Sequence, residues 1–293
     1  MLIDRGSLGG KTRGVRWAAI ALGGVAAAIL LARVILPERG LDVTGWRALY
    51  DSAFAGTLTL AILVVGFGAG CRISRAFSRE GSHVLEGALF SIALGLGALA
   101  YGFFGLGLVG LFSRWALVSW VVLLALWSRR EIALAFERSV GEVAHLGAGW
   151  RNLTRSQRLL LLACVLLLSM ALVQAFAPPW DYDGLMYHLQ GPRLFLETGR
   201  VIFLPENWQA NGPFAVEMLF GLGLSLGSDT FAKLIHTAFA VLLVVSTYAL
   251  GRRALGNAGG WASIALIAGV PLFNRAGLIP EGRSHVSTVL YVC

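Results

Sequence analysis

The polar chemistry of this chain gathers in one stretch, Pro178-Pro-Trp-Asp181-Tyr-Asp183-Gly-Leu-Met-Tyr187-His188-Leu-Gln-Gly-Pro192-Arg193-Leu-Phe-Leu-Glu197-Thr-Gly199-Arg200. Pro178-Pro179 ends any helix that reaches it, because proline cannot continue the hydrogen-bond ladder. Asp181 or Asp183 can then cap a new helix, each carrying the side-chain oxygen that a helix start requires. Capping needs one aspartate, not a pair flanking Tyr182. A helix running from Asp183 brings Tyr187 onto the same face, with His188 beside it. A carboxylate there can take a proton from a nucleophile, and Arg193 and Arg200 can hold a phosphate. The plainer alternative is a capped helix with Trp180, Tyr182 and Tyr187 as an interfacial aromatic belt. Residue types alone support both.

The elements that must position this stretch are membrane helices. The 293 residues are 57% hydrophobic and only 14% charged, with a mean hydropathy of +0.72. A soluble domain carries about 25% charged residues. A soluble enzyme and a disordered chain are therefore excluded, and an all-α polytopic membrane protein is expected, its helices apolar on every face. Cys71, Cys164 and Cys293 are scattered, so neither a disulfide framework nor a zinc site follows.

A crossing needs about 20 apolar residues. Trp17–Leu36, Ser52–Gly70, two spans within Val84–Trp127 with a turn between Gly102 and Arg114, Leu159–Ala177, Phe231–Leu250 and the shorter Gly259–Phe273 give about seven transmembrane helices. Arginine placement tests that series. Arg5, Arg13 and Arg16 precede the first span, Arg72, Arg75 and Arg79 follow the second, Arg129 to Arg158 follow the fourth, and Arg252-Arg253 follow the sixth. These segments alternate correctly if the N-terminus is cytoplasmic. The expected location is a bacterial-type inner membrane, crossed many times. The net charge of +8 is then topological, and no nucleic acid is needed to explain it.

Three parts follow: a glycine-rich four-span bundle at 1–128, a basic cytoplasmic connector at 129–158 expected to lie as a helix on the membrane surface, and a membrane core at 159–293. The core holds a long outer loop, 178–230, and loops of that length in compact proteins are usually functional. Phe214–Gly227 is apolar but too short to span, so it is expected to lie on the outer leaflet. Span one is too long for the core of a secretory signal and lacks a small-x-small cleavage site. Gly105-Leu-Gly107-Leu-Val-Gly110 fits a dinucleotide fingerprint on paper, but no strand precedes it and no acid follows about 20 positions on. These glycines, and Gly66-x-x-x-Gly70, are expected to let helices approach closely. Asn152-Leu-Thr154 fits a glycosylation acceptor on the wrong side of the membrane, a chance match.

The order of elements resembles the start of the GT-C superfamily of polyprenyl-phosphate-sugar-dependent glycosyltransferases, in the branch of the protein mannosyltransferases and aminoarabinose transferases. The residues that carry it are a span ending outside, Asp183-x-x-x-Tyr187, a first interfacial helix ending in Glu197-x-Gly199-Arg200, a proline-led second interfacial helix from Asn211-Gly-Pro213 carrying Glu217, a span closing at 249–256, and one closing with Pro271-Leu-Phe. The match covers about 159–278. The resemblance implies that Asp183 is the catalytic base or acceptor-orienting residue, joined by Asp181, and that Tyr187, His188, Arg193, Arg200, Asn211 and Glu217 line the substrate site. In some members the acidic pair, here Asp181 and Asp183, binds a divalent metal. The implied partners are membrane lipid and a polyprenyl-phosphate sugar donor.

Two departures stand out. Many relatives hold the lipid phosphate with a basic residue at the position of Asn211 or Gly212, and this chain has none there, which transfers that role to Arg193 or Arg200. Members also continue with further spans, so the chain is expected to be the N-terminal part of a longer enzyme. The alternatives are a non-enzymatic membrane carrier or assembly factor, and a catalytically inactive truncated remnant. A carrier calls for ionisable residues or broken helices near the bilayer midplane, which the spans almost lack.

Overall fold

A computed structural model describes residues 23–24, 26–27, 44–76, 84–137, 153–177, 179, 182–212 and 214–269. Among them every regular element is helical. The elements are α1 (Thr44–Ser74), α2 (Val84–Leu108), α3 (Arg114–Trp127), α4 (Arg155–Ala175), α5 (Gln190–Thr198), α6 (Glu217–Ser225) and α7 (Thr230–Gly269), with a π-turn at Gly184–His188 and a 3-10 turn at Trp208–Asn211. Four helical stretches are long and apolar enough to cross a membrane: Ala48–Ser74, Val84–Leu108, Arg155–Ala175 and Thr230–Ile267.

The other three expected spans fare differently. Most of Trp17–Leu36 lies outside the described residues. The fourth is α3, only 14 residues long. It bends at Ser128, whose hydroxyl donates to the Leu124 carbonyl at 2.7 Å, and continues helically over 129–137. Of the seventh, residues 259–269 belong to the second arm of α7 and 270–273 lie outside the described residues. Gly256, at φ 71° and ψ −168°, breaks the helix. The arms fold back so that the Tyr248 and Trp261 rings lie 5.5 Å apart and Gly251 faces Gly259.

α1 and α2 cross at backbone contact. A Cβ on Gly70 would overlap the Ser91 carbonyl, and one on Gly95 would overlap the Gly66 carbonyl. Small residues four apart on both helices permit that approach, the role expected of Gly66-x-x-x-Gly70. α4 begins at a complete capping box, with the Thr154 side chain accepting from Gln157 N and the Gln157 side chain accepting from Thr154 N. That cap accounts for Thr154 within the Asn152-Leu-Thr154 triplet.

Polar contacts sort the helix ends into two groups. At one end Arg72 donates to the Trp127 carbonyl (2.6 Å), Arg75 pairs with Glu131 (2.7 Å) and Arg253 with Glu86 (2.8 Å). Glu131 is buried beneath these contacts, so the start of the connector is pinned to α1 and differs from a helix lying free on a membrane surface. At the other end Phe112 N donates to Gly199 O (2.8 Å) and Val201 N to Gly107 O (3.0 Å). These two bonds stitch the α2–α3 turn to the chain leaving α5.

The largest departure from expectation is α6. Glu217 through Gly223 are all buried, with Phe112 against Gly221 and Phe231 against Gly223. A nine-residue helix is about 14 Å long and cannot cross a bilayer. Its apolarity on every face is satisfied by protein rather than by one lipid-facing side. One hydrophobic core runs from Phe54 and Phe103 through Phe112, Phe195 and Phe220 to Phe239.

Candidate functional site

The stretch carrying Asp183 leaves α4 at the end opposite the arginine cluster. Lys233, in the first turns of α7, is 4% exposed and donates its ammonium to Gln174 O (2.8 Å) and Ala177 O (2.6 Å). Carbonyls at a helix C-terminus carry partial negative charge, which a cation offsets; Gln174 O also accepts from Ala177 N at 3.0 Å, so there the ammonium adds a second donor. In the sequence Lys233 is a lone charge near the start of the apolar run 231–250. Lys233→Met is expected to cost about 2–4 kcal/mol, from two charge-assisted hydrogen bonds. Thermal unfolding of the detergent-purified chain checks this, and an unchanged Tm would remove Lys233 from the frame of the site.

Asp183 is half-buried, its backbone already helical and its side chain making no cap bond. The following turn is wider than an α-turn: Leu189 N donates to Gly184 O at 2.9 Å across five residues. Single π-turns of this kind occur often at functional sites. The wider turn places His188 inward and leaves Tyr187 half-buried against it, ring centroids 4.2 Å apart. Tyr182 is exposed. Asp181 lies outside the described residues, as do Pro178, Trp180 and Pro213.

His188 Nδ1 lies 2.8 Å from Glu217 Oε1, with each side chain only 3% exposed. With Glu217 ionised, Nδ1 carries a proton and donates it to the carboxylate. Glu217 stands in the first turn of α6, where the helix dipole favours negative charge, and Phe214 packs edge-on to the imidazole. Two residues that the resemblance placed separately in the substrate site therefore form one sealed pair, joining the π-turn to the central buried helix. Glu217→Gln keeps a weaker, neutral hydrogen bond and is expected to cost about 1–2 kcal/mol. The readout is again Tm, with His188→Gln as the matched variant. Strictly additive losses in the double mutant would mean that the two side chains do not act together.

Asn211 is committed to the loop. Its amide donates to Leu204 O (2.8 Å) and Asn207 O (3.0 Å), and its oxygen accepts from Leu204 N (2.8 Å). Both amide hydrogens are thereby used, leaving no donor for a substrate phosphate. Asn207 extends the same staple to the Met186 carbonyl at 2.6 Å, just behind Tyr187. Arg193 and Arg200 are both exposed, Arg193 lying 3.9 Å from Asp229.

A metal finds little support in the described donors. Among the described residues no three of His, Cys, Asp and Glu converge, and the His188 and Glu217 side chains are engaged with each other. Of the acidic pair expected to hold a metal, Asp183 is described and Asp181 lies outside the described residues.

The arrangement supplies a half-buried carboxylate on a π-turn held by one buried ion-pair contact and one exposed amide–carbonyl bond, with two exposed guanidiniums farther along the same segment. No family model, curated protein or solved structure matches this chain.

Proposed function

We propose that the chain is a membrane glycosyltransferase that moves a sugar from a polyprenyl-phosphate donor to an acceptor on the extracytoplasmic side of a bacterial-type inner membrane, its N-terminus cytoplasmic. The observation that carries this reading is the placement of Asp183. Its turn is fixed by the His188–Glu217 pair at 2.8 Å and by Asn207 on the Met186 carbonyl. Placing a catalytic group in advance of reaction is what lets proximity lower a barrier.

In this mechanism Asp183 takes a proton from the acceptor nucleophile. The nucleophile forms a bond to the anomeric carbon from the face opposite the phosphate. The bond from that carbon to the phosphate oxygen breaks, the electron pair leaves with the polyprenyl phosphate, and the anomeric configuration inverts. The guanidinium of Arg193 or Arg200 steadies the leaving charge. An apolar crevice of about 390 Å3 among α1, α2, α4 and α7, bordered by Thr59, Ile92, Leu172, Phe176, Leu234 and Val241, suits a lipid tail.

The test uses membranes from cells overproducing the full chain, incubated with a labelled sugar on polyprenyl phosphate. Label appearing in a non-lipid product above vector-only membranes supports the reading. Label that stays on the lipid across a panel of donor sugars and envelope acceptors overturns it.

A further inference from the structure

Between α5 and α6 the chain makes a short, closely tied loop. Leu204-Pro-Glu-Asn207 is a β-turn: Asn207 N donates to Leu204 O (3.1 Å), and Pro205 holds the second position, where its fixed φ suits the bend. The Asn211 side chain bridges the base of this turn, and Asn207 reaches across to the Met186 carbonyl. Leu204 and Ala210 are buried and hold the loop to the core. On this frame Phe203 is 74% exposed and Trp208 78% exposed, one on each side of the turn. Taking a large apolar side chain out of water contributes about 1.5–3 kcal/mol. A loop tied in this way, with two such rings turned outward, forgoes that gain unless an apolar phase meets them.

The position of the loop says which phase that is. Val201 N is bonded to the carbonyl of Gly107, one residue from the end of α2, a helix long and apolar enough to span. Phe203 follows two residues later, within about 7 Å along the chain. The headgroup zone on each face of the hydrocarbon is about 5–7 Å deep, and tryptophan concentrates there. At the adjoining α2–α3 turn Leu108, Val109, Leu111 and Trp115 are exposed as well, so the apolar surface of the membrane helices borders the loop. From 201 to 212 the only charged residue is Glu206, whereas α5 exposes Arg193 and Glu197. The geometry points to the turn as a lipid-surface anchor, with Phe203 and Trp208 seated in the headgroup region of the leaflet at the α2–α3 end. That contact was expected of Phe214–Gly227, but its helical part, α6, is covered by protein instead. Through Asn207 on the Met186 carbonyl, the anchor also sets the height of Asp183 at the bilayer. The use of that height in catalysis rests on the glycosyl-transfer reading; the lipid contact does not.

The experiment uses the full chain with Cys71, Cys164 and Cys293 replaced by alanine, reconstituted in vesicles of phosphatidylcholine and phosphatidylglycerol. A nitroxide is attached to a single cysteine introduced as Phe203→Cys, Trp208→Cys, Glu197→Cys or Leu123→Cys. Its collisions with oxygen and with a water-soluble nickel chelate are read by EPR. All four positions are exposed, so the probe displaces no core side chain. The oxygen-to-nickel collision ratio at 203 and 208 is expected to exceed that at 197 several-fold and to stay below that at 123, within α3. A ratio at 203 and 208 equal to that at 197 means water and overturns the assignment. Low access to both reagents means that protein, such as a second copy of the chain, covers the turn, and overturns it equally. Sugar transfer by a chain with water-like access at 203 and 208 rejects the anchor and keeps the transfer reading. Lipid-like access without sugar transfer keeps the anchor and rejects the enzyme.

Discussion

Asp183→Asn is expected to lower sugar transfer by about 10²–10⁴-fold, the usual contribution of a positioned general base. The substitution is nearly isosteric and removes the charge that accepts the proton. The π-turn is tied by His188–Glu217 and by Asn207 on the Met186 carbonyl, neither of which the substitution touches, so it should persist. Two measurements on the same membranes separate chemistry from folding: the initial rate of label transfer, and the Tm of the purified variant. A large rate loss at unchanged Tm assigns Asp183 to the reaction. Asp183→Glu is expected to recover part of the rate, since it restores the charge at a longer reach. Transfer by Asp183→Asn at the wild-type rate would falsify the mechanism.

The second large effect lies far from any chemistry. Gly95→Leu is expected to abolish assembly of the folded chain, and Gly95→Ala to destabilise it by about 4 kcal/mol or more, the range reserved for severe structural conflict. At this crossing the obstruction is backbone, the Gly66 carbonyl, and cannot rotate aside as a side chain would. The only relief is for α1 and α2 to separate, which loosens packing along their full contact. Gly70→Ala meets the Ser91 carbonyl in the same way. Gly56, also on α1, has open space where its Cβ would lie. Gly56→Ala is expected to be neutral or stabilising by up to about 1 kcal/mol, the helix-propensity difference. Monodispersity on size exclusion and thermal melting in detergent distinguish the two positions. Equal behaviour of Gly95→Ala and Gly56→Ala would mean that the crossing is not as close as described.

The features legible in the sequence were those set by local spacing. Gly66-x-x-x-Gly70 announced a close crossing, the interval between Gly102 and Arg114 contained the α2–α3 turn, and Gly199, at φ 70°, closes α5. The arginines of 72–75, 129–130 and 252–253 belong to helix ends that share one side of the bundle. What local spacing did not carry was partnership over distance. His188 and Glu217 are 29 residues apart and Lys233 reaches back 59 to Gln174. Nothing in a single apolar or polar run marks such pairs. The burial of α6 was illegible for a related reason: a short helix apolar on all sides reads alike whether lipid or protein covers it. Asn211 shows the converse. An amide two residues before a proline looked available to a substrate, yet the loop's own backbone engages both of its hydrogens.

The stitching of Gly107 and Phe112 to Val201 and Gly199 bears on how the segment carrying Asp183 moves. Two backbone bonds, with Phe112 wedged against both Phe195 and Gly221, make the far end of α5 and the α2–α3 turn a single mechanical unit. A flap hinged at Gly199 would have to break both bonds and withdraw a fully buried phenylalanine. Opening motions should therefore concentrate at the other margin, around the exposed Tyr182, Leu185 and Met186. In amide hydrogen exchange, Val201 and Phe112 should open together and late, while the backbone around Tyr182 exchanges early. Traffic into the site would then pass on the side where Asp183 stands, with α5 as its fixed wall.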